Sequence, residues 1–243
     1  MSSEEHTSFT KDNIDTYLKE LAKEYRKLGG RKIPAEIVLV GGASVLINYG
    51  FREMTTDIDA IIQSASTMKE AINHVEEKHG LPRGWLNEDF LTTTSYTPKL
   101  IQYSIYYKTF YGVLDVRTVS GEYLVAMKLR SGRQYKSDLS DIVGILAAHE
   151  KIDKPISKEM IDKAVCDLYE SWEEIPEISR TFIEMILSDG DYAELIAKTK
   201  MEEKETKETL LEFEARYPER ANTQNVDEII SLLKNRKNTD GQK

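Results

Sequence analysis

Two hydrophobic periods alternate along the first 150 residues, and only one persists afterwards. From Lys11 to Leu28, the residues Ile14, Tyr17, Leu18, Leu21, Tyr25 and Leu28 recur at helical spacing and predict an amphipathic helix. Thr10 can cap it, Asp12 suits its first turn, and Gly29-Gly30 stops it. Residues 1–9 read as a loose tail. Glu36 to Val40 is a β-branched run that predicts a strand ending at Gly41-Gly42. Ala43 to Tyr49 predicts one or two helical turns closed by Gly50, and Asp57-Ile58-Asp59-Ala60-Ile61-Ile62 resumes a strand.

Further on, Met68, Ala71, Ile72 and Val75 predict a helix over Thr67 to His79, ended by Gly80. Leu81 to Asn87 is a turn-rich loop holding Trp85. Leu100 to Tyr107 and Tyr111 to Arg117 read as two strands, with Lys108-Thr109-Phe110 as the hairpin between them. Glu122 to Arg130 and Asp138 to Glu150 read as helices. Near Pro155 the texture changes, and from Ser157 onward only helical patterns remain, including a charged helix from Ala193 to Tyr217 and a short one from Val226 to Leu233. This predicts a first domain over 1–152, a helical region over 153–234 and a disordered tail over 235–243.

Composition narrows the class. The chain has 243 residues, 40% hydrophobic and 31% charged, with no apolar run near the ~20 residues of a membrane span. Its N-terminus, Met1-Ser2-Ser3-Glu4-Glu5-His6, lacks a signal peptide's basic and apolar regions, and Cys166 is its one cysteine. Both point to a reducing cytoplasm and to no membrane partner. Cys166 falls among apolar helical positions and reads as core; His6, His74, His79 and His149 show no metal-like spacing. The formal charge of −9 argues against nonspecific nucleic-acid binding by the whole chain. Yet Lys99, Lys108, Arg117, Lys128, Arg130, Arg133 and Lys136 stand against only Asp115 and Glu122, a local net +5 that suggests an anionic ligand.

The candidate chemistry gathers around the glycine pair. Side chains alternate along a strand, so Asp57 and Asp59 point the same way while Ile58 points into the core. Two like charges at the head of an apolar strand need a compensating cation, and a hard divalent ion with oxygen ligands is the simplest. Exposed N–H groups at Gly41-Gly42 can approach phosphate, with Ser44 adding a hydroxyl. The turn is neither a Walker loop nor a dinucleotide fingerprint. With Asp115 in a later strand, three carboxylates can hold two magnesium ions on a nucleoside triphosphate.

Gly41-Gly42 followed by Asp57-Ile58-Asp59 resembles the signature of the DNA polymerase β-type nucleotidyltransferase superfamily. The longer pattern Gly-Gly-Ala-Ser…Tyr-Gly-Phe-Arg-Glu-Met-Thr-Thr-Asp-Ile-Asp resembles bacterial nucleotidyltransferase-like proteins related to AbiEii toxins of type IV toxin–antitoxin systems. Trp85-Leu86-Asn87, Tyr123 to Arg130 and Lys136 to Asp141 also look like that group, so the resemblance covers roughly residues 11–150. It implies magnesium ligation by Asp57 and Asp59, with Asp115 as third carboxylate. It also implies that Lys128 steadies the triphosphate and that Asp138 or Asp141 serves in the last motif. Gly41, Gly42 and Ser44 would cradle phosphate, while Arg52 and Arg130 are further nucleotide-binding candidates.

The expected fold is therefore α/β (α+β): a polymerase β-like nucleotidyltransferase domain with a small mixed sheet flanked by helices, followed by a helical region. The expected function is magnesium-dependent transfer of a nucleoside monophosphate from a nucleoside triphosphate to an acceptor. That acceptor is a protein side chain, an RNA end or a small molecule, and a toxin with an antitoxin partner is one setting the resemblance allows. The acidic stretch Met201-Glu202-Glu203-Lys204-Glu205 would repel nucleic acid, which favours a protein or small-molecule acceptor. The alternative is a catalytically inactive nucleotide-sensing or protein-binding module on the same fold.

Overall fold

The computed structural model describes residues 8–222 and 225–240. Helix α1, Lys11–Tyr25, starts where Thr10 and Asn13 cap each other reciprocally, and it buries Ile14, Leu18, Leu21 and Tyr25. It passes into a π-helical turn, Arg26–Gly30. Then come β1 (Ala35–Leu39), α2 (Gly41–Asn48), β2 (Ile58–Gln63), α3 (Thr67–His79) and the two-residue β3 (Leu86–Asn87). A short 3-10 turn, Pro98–Tyr103, leads into β4 (Ser104–Phe110), and β5 is Leu114–Val119. Six further helices follow: α4 (Gly121–Ser131), α5 (Asp138–Lys151), α6 (Lys158–Tyr169), α7 (Glu177–Asp189), α8 (Tyr192–Arg216) and α9 (Val226–Asp240).

The strands form one mixed sheet in the order β3-β2-β1-β5-β4. β1 runs antiparallel to β2 and parallel to β5, while β4 and β5 form an antiparallel hairpin. Alternation along the strands separates two cores. Ile37, Leu39, Ile58, Ala60, Leu114 and Val116 face α1 and α3. Val38, Val40, Ile61 and Val119 face the other way, onto α4, α5 and the helices beyond. Among the described residues no helix is long and apolar enough to cross a membrane.

The expected α/β architecture is the observed one, with several local corrections. Phe9 is not part of a loose tail: it is fully buried and pairs with Thr55 through two backbone hydrogen bonds, of 2.7 and 2.8 Å. Residues 1–7 of that tail lie outside the described residues. The hairpin turns at Tyr111-Gly112, both at positive φ, because β4 begins later than expected, after its first residues coil into the 3-10 turn. The loop after α3 contains β3, whose neighbour Trp85 is buried and accepts from Ile58 N–H. Cys166 is exposed, since Ala164, Val165 and Leu168 take the inward positions of α6. α9 continues to Asp240, past the expected start of the tail at Asn235, and 241–243 lie outside the described residues.

The change of texture near Pro155 is not a break in packing. α4 packs on α5, α6 and α7, and α5 packs on α8. Ile156, Ile161, Val165, Leu168, Ile183 and Leu195 therefore belong to the same buried cluster as Val38, Leu124 and Ile145. Residues before and after 152 share one core.

Candidate functional site

β1 ends at Leu39, and the backbone enters α2 through Gly41, whose φ of +53° lies in the left-handed region that glycine adopts freely. No side chain caps α2, which leaves the N–H groups of its first turn without a side-chain acceptor. Asp59 is there: its carbonyl accepts from Val40 N–H at 3.0 Å, and a Cβ on Gly41 would stand 3.6 Å from Asp59 Oδ2. Asp57, just before β2, is exposed, whereas Asp59 is half-buried. Burial, and then the charge of Asp57, push the Asp59 carboxyl up to about 6; Lys136 and Arg133 pull in the other direction.

Gly42 serves a different need. A Cβ there would stand 2.9 Å from a guanidinium nitrogen of Arg52 and 2.8 Å from Thr55 Oγ1, so the position must stay bare for Arg52 to lie across the turn. Arg52 donates to Asp141 Oδ2 at 2.5 Å and to the Met54 carbonyl at 3.1 Å. Asp141 also meets the Lys128 ammonium at 2.7 Å, and Lys128 meets Asp138 Oδ1 at 2.9 Å. Arg133 closes the row with Nε to Asp138 Oδ2 at 2.8 Å. Burial works against ionisation of Lys128 and Asp138. Their partners outweigh it, holding the amine above the usual lysine range and the carboxyl well below the carboxylate range. Three cations and two carboxylates thus form one continuous row from the glycine turn to the loop before α5.

Lys128 lies inside the core, with its ammonium engaged by both aspartates. Replacing it by Met is expected to destabilise the fold by about 3–5 kcal/mol, because Asp138 and Asp141 keep their burial and lose a shared counter-charge. Urea denaturation checks this, and a loss under about 1 kcal/mol would show that Arg52 and Arg133 suffice.

The structure brings Gly41, Gly42, Arg52, Asp57, Asp59, Lys128, Asp138 and Asp141 into one region, and it leaves three expected residues outside. Ser44 is fully buried and accepts from Val119 N–H at 3.0 Å, so its hydroxyl ties α2 to β5 rather than facing the turn. Arg130 projects to the other side of α4, pairs with Glu174 and lies over the Tyr169 ring. Asp115 is the main correction. It is exposed, accepts from Thr109 Oγ1 and sits opposite Glu36 in the register, while Asp59 sits beside Val40. Four residues of strand, about 13 Å, separate those levels. Among the described residues no three His, Cys, Asp or Glu side chains gather into a metal cage.

Three further contributors were not among the expected site residues. Arg133 and Lys136, on the loop between α4 and α5, are the cations whose charges reach Asp59. Glu203 of α8 is buried and accepts from the N–H groups of Leu139 and Ser140, both at 3.0 Å, and from Ser140 Oγ at 2.6 Å. It caps the helix that carries Asp138 and Asp141. The basic run hinted at Arg133 and Lys136; nothing local marked Glu203.

A family described as a nucleotidyltransferase of unknown function (DUF6036) matches this chain over residues 16–186, more than two thirds of its length. The chain belongs to that family. The match covers the glycine turn, Asp57, Asp59 and the ion-pair row alike. It also crosses residue 152 and runs into α7. No curated protein and no solved structure matches the chain.

Two carboxylates suit magnesium in a particular way. The ion keeps several of its ligands from water and substrate, and one or two protein carboxylates joined by phosphate oxygens complete its shell. Asp57 and Asp59, with the Asp59 carboxyl raised by burial and then by the charge of Asp57, would supply those two carboxylates.

Proposed function

We propose that this protein transfers a nucleoside monophosphate from a nucleoside triphosphate to an acceptor, with magnesium held by Asp57 and Asp59. The observation that carries this reading is Asp59 set against Gly41, with Arg133 and Lys136 within electrostatic reach. The acceptor's nucleophile would attack the α-phosphorus, and the bond to the bridging oxygen of pyrophosphate would break. Bound magnesium would neutralise charge on the phosphate oxygens. The chain's own part is to hold the reactants. The uncapped N–H groups of α2 take phosphate oxygens, Asp57 and Asp59 fix the ion, and Arg133 and Lys136 balance charge that builds up on pyrophosphate. Lys128 would act through its neighbours, keeping Asp141 and Asp138 in place so that Arg52 and Arg133 stay aimed at the turn.

A protein or small-molecule acceptor, favoured by the acidic stretch Met201 to Glu205, and a toxin–antitoxin setting, which the resemblance of the site motifs allows, belong to the same proposal. A second reading, a nucleotide-sensing module without catalysis, draws on Asp115: the level of β5 beside Asp59 is taken by Val119, not by a carboxylate. One experiment separates them. The protein is incubated with nucleoside triphosphates labelled at the α-phosphate, magnesium and cell lysate. A labelled acceptor and released pyrophosphate are expected, both lost in the Asp57→Asn/Asp59→Asn double variant. Tight magnesium–nucleotide binding with no labelled acceptor would favour the sensor.

A further inference from the structure

The chain is basic in a second place, where α1 ends. Lys23, Arg26, Lys27 and Arg31, with Tyr111 from the β4–β5 turn, line an open cavity of about 510 Å³ that has no carboxylate in its lining. The backbone builds this convergence. Gly29, at φ +101°, reverses the π-helical turn, and Gly30 lies flat on the Tyr25 ring, where a Cβ would be only 2.4 Å from a ring carbon. The Tyr25 hydroxyl donates to the Ile33 carbonyl at 2.6 Å, so Arg31 is folded back beside the last turn of α1. Ala35 N–H then donates to the Val113 carbonyl at 2.8 Å, which brings the Tyr111 turn alongside. Tyr111 itself stands at φ +52° and is 43% exposed, a bulky ring on a turn position that Asn or Gly fills more easily.

Part of this charge answers the helix dipole and nearby acids. Lys23 lies 3.6 Å from Glu20 and Lys27 lies 2.7 Å from Glu24. Arg26 and Arg31 have no side-chain partner among the described residues, and Arg31 is outside the helix. The cavity is also remote from the candidate transfer site. Arg31 and Tyr111 precede β1 and β5, whereas Asp59 lies past the far end of β1, a strand length of about 16 Å away.

We propose that this cavity binds the phosphodiester backbone of a single-stranded nucleic acid, with Tyr111 stacking on a base. Lys23 and Lys27 are four residues apart, about 6 Å along the helix, and Arg31 extends the row, which is more than one phosphate can meet. A basic groove with an exposed ring is the chemistry that single strands use, since each unpaired base offers a face to an aromatic side chain. A duplex presents phosphates but keeps those faces stacked. The formal charge of −9 does not forbid this, because charges beyond about 8 Å are screened at physiological salt.

The test is fluorescence anisotropy of the full chain with labelled oligouridine RNA, oligothymidine DNA and a duplex, each over a range of salt. Arg26→Glu/Arg31→Glu is expected to weaken single-strand binding at least tenfold and to reduce the slope of log K against log salt by about 1.4, two phosphate contacts' worth. Tyr111→Asn keeps the turn and is expected to cost about tenfold for single strands alone. Magnesium–nucleotide binding by both variants should be unchanged, which keeps this outcome separate from the role of Asp57 and Asp59. Wild-type affinity in both variants would overturn the proposal. So would a duplex held as tightly as the single strands with Tyr111→Asn harmless, which would leave only a general anion surface.

Discussion

Asp59→Asn is expected to abolish nucleotidyl transfer and, in the absence of metal, to make the protein more stable at neutral pH. The first effect follows from the proposed metal ligation and should be on the order of 10³-fold or more, the scale of losing one preorganised electrostatic group. The second follows from the carboxyl's surroundings. Burial and Asp57 raise its pKa to about 6 from an ordinary 3.8. Below about pH 4 both folded and unfolded chains carry the proton, and Asp59 is neutral to stability. Between about 4 and 6 the folded chain keeps a proton that the unfolded chain has lost, so stability falls as pH rises. Above about 6 the full penalty applies. Solvent still reaches half-buried Asp59, which reduces the gain from Asn to about 1–2 kcal/mol. Urea denaturation in chelator at pH 4 to 8 should show the two proteins converging at the acid end and separating by pH 7. Equal stability throughout would show that the site does not strain Asp59, and magnesium should narrow the gap by stabilising only the wild type.

That pair of aspartates was legible in the sequence because its logic is local. Strand alternation alone puts Asp57 and Asp59 on one face, and a glycine pair after a β-branched run marks a strand-to-helix turn. The sheet and its flanking helices were legible for the same reason, as runs of period 2 and period 3.6. What failed depended on register and on distant packing. Asp115 has the right residue type on the right strand, but its level is set by the β1–β5 pairing, which places it opposite Glu36. Lys128 is expected from the resemblance to steady a triphosphate, and only the packing of α5, which brings Asp138 and Asp141 around its ammonium, shows it buried in an ion-pair row. Ser44 follows the glycines as a phosphate ligand should, yet the short helix turns its hydroxyl onto Val119. Glu203 lies in one of the most charged stretches of the chain, and only the docking of α8 on α5 reveals it as a helix cap.

The same docking decides what happens when the helical half is removed. A chain ending at Ile152 is expected not to fold, although every residue proposed to touch nucleotide or metal would still be present. Ile156, Ile161, Val165, Leu168, Ile183 and Leu195 are all buried in one cluster with residues of α4, α5 and the sheet. At about 1.5–3 kcal/mol for each large apolar side chain, their loss is as large as the whole 5–15 kcal/mol that typically separates native from unfolded chains. Removing Glu203 also strips the N-terminus of α5 of its cap, beside the buried Asp138 and Asp141. The truncated chain should show no cooperative melt, weak near-ultraviolet circular dichroism and no magnesium–nucleotide binding. A chain ending at Arg220 supplies the contrast. It loses α9, whose Val226 and Ile230 close only a small cluster with Leu210, and it keeps the shared core and Glu203. It should melt cooperatively within a few degrees of the intact protein and bind nucleotide. If the chain ending at Ile152 instead folds and binds, the sheet and its first five helices are stable alone. The helices after Pro155 would then be an accessory to the site rather than part of its foundation.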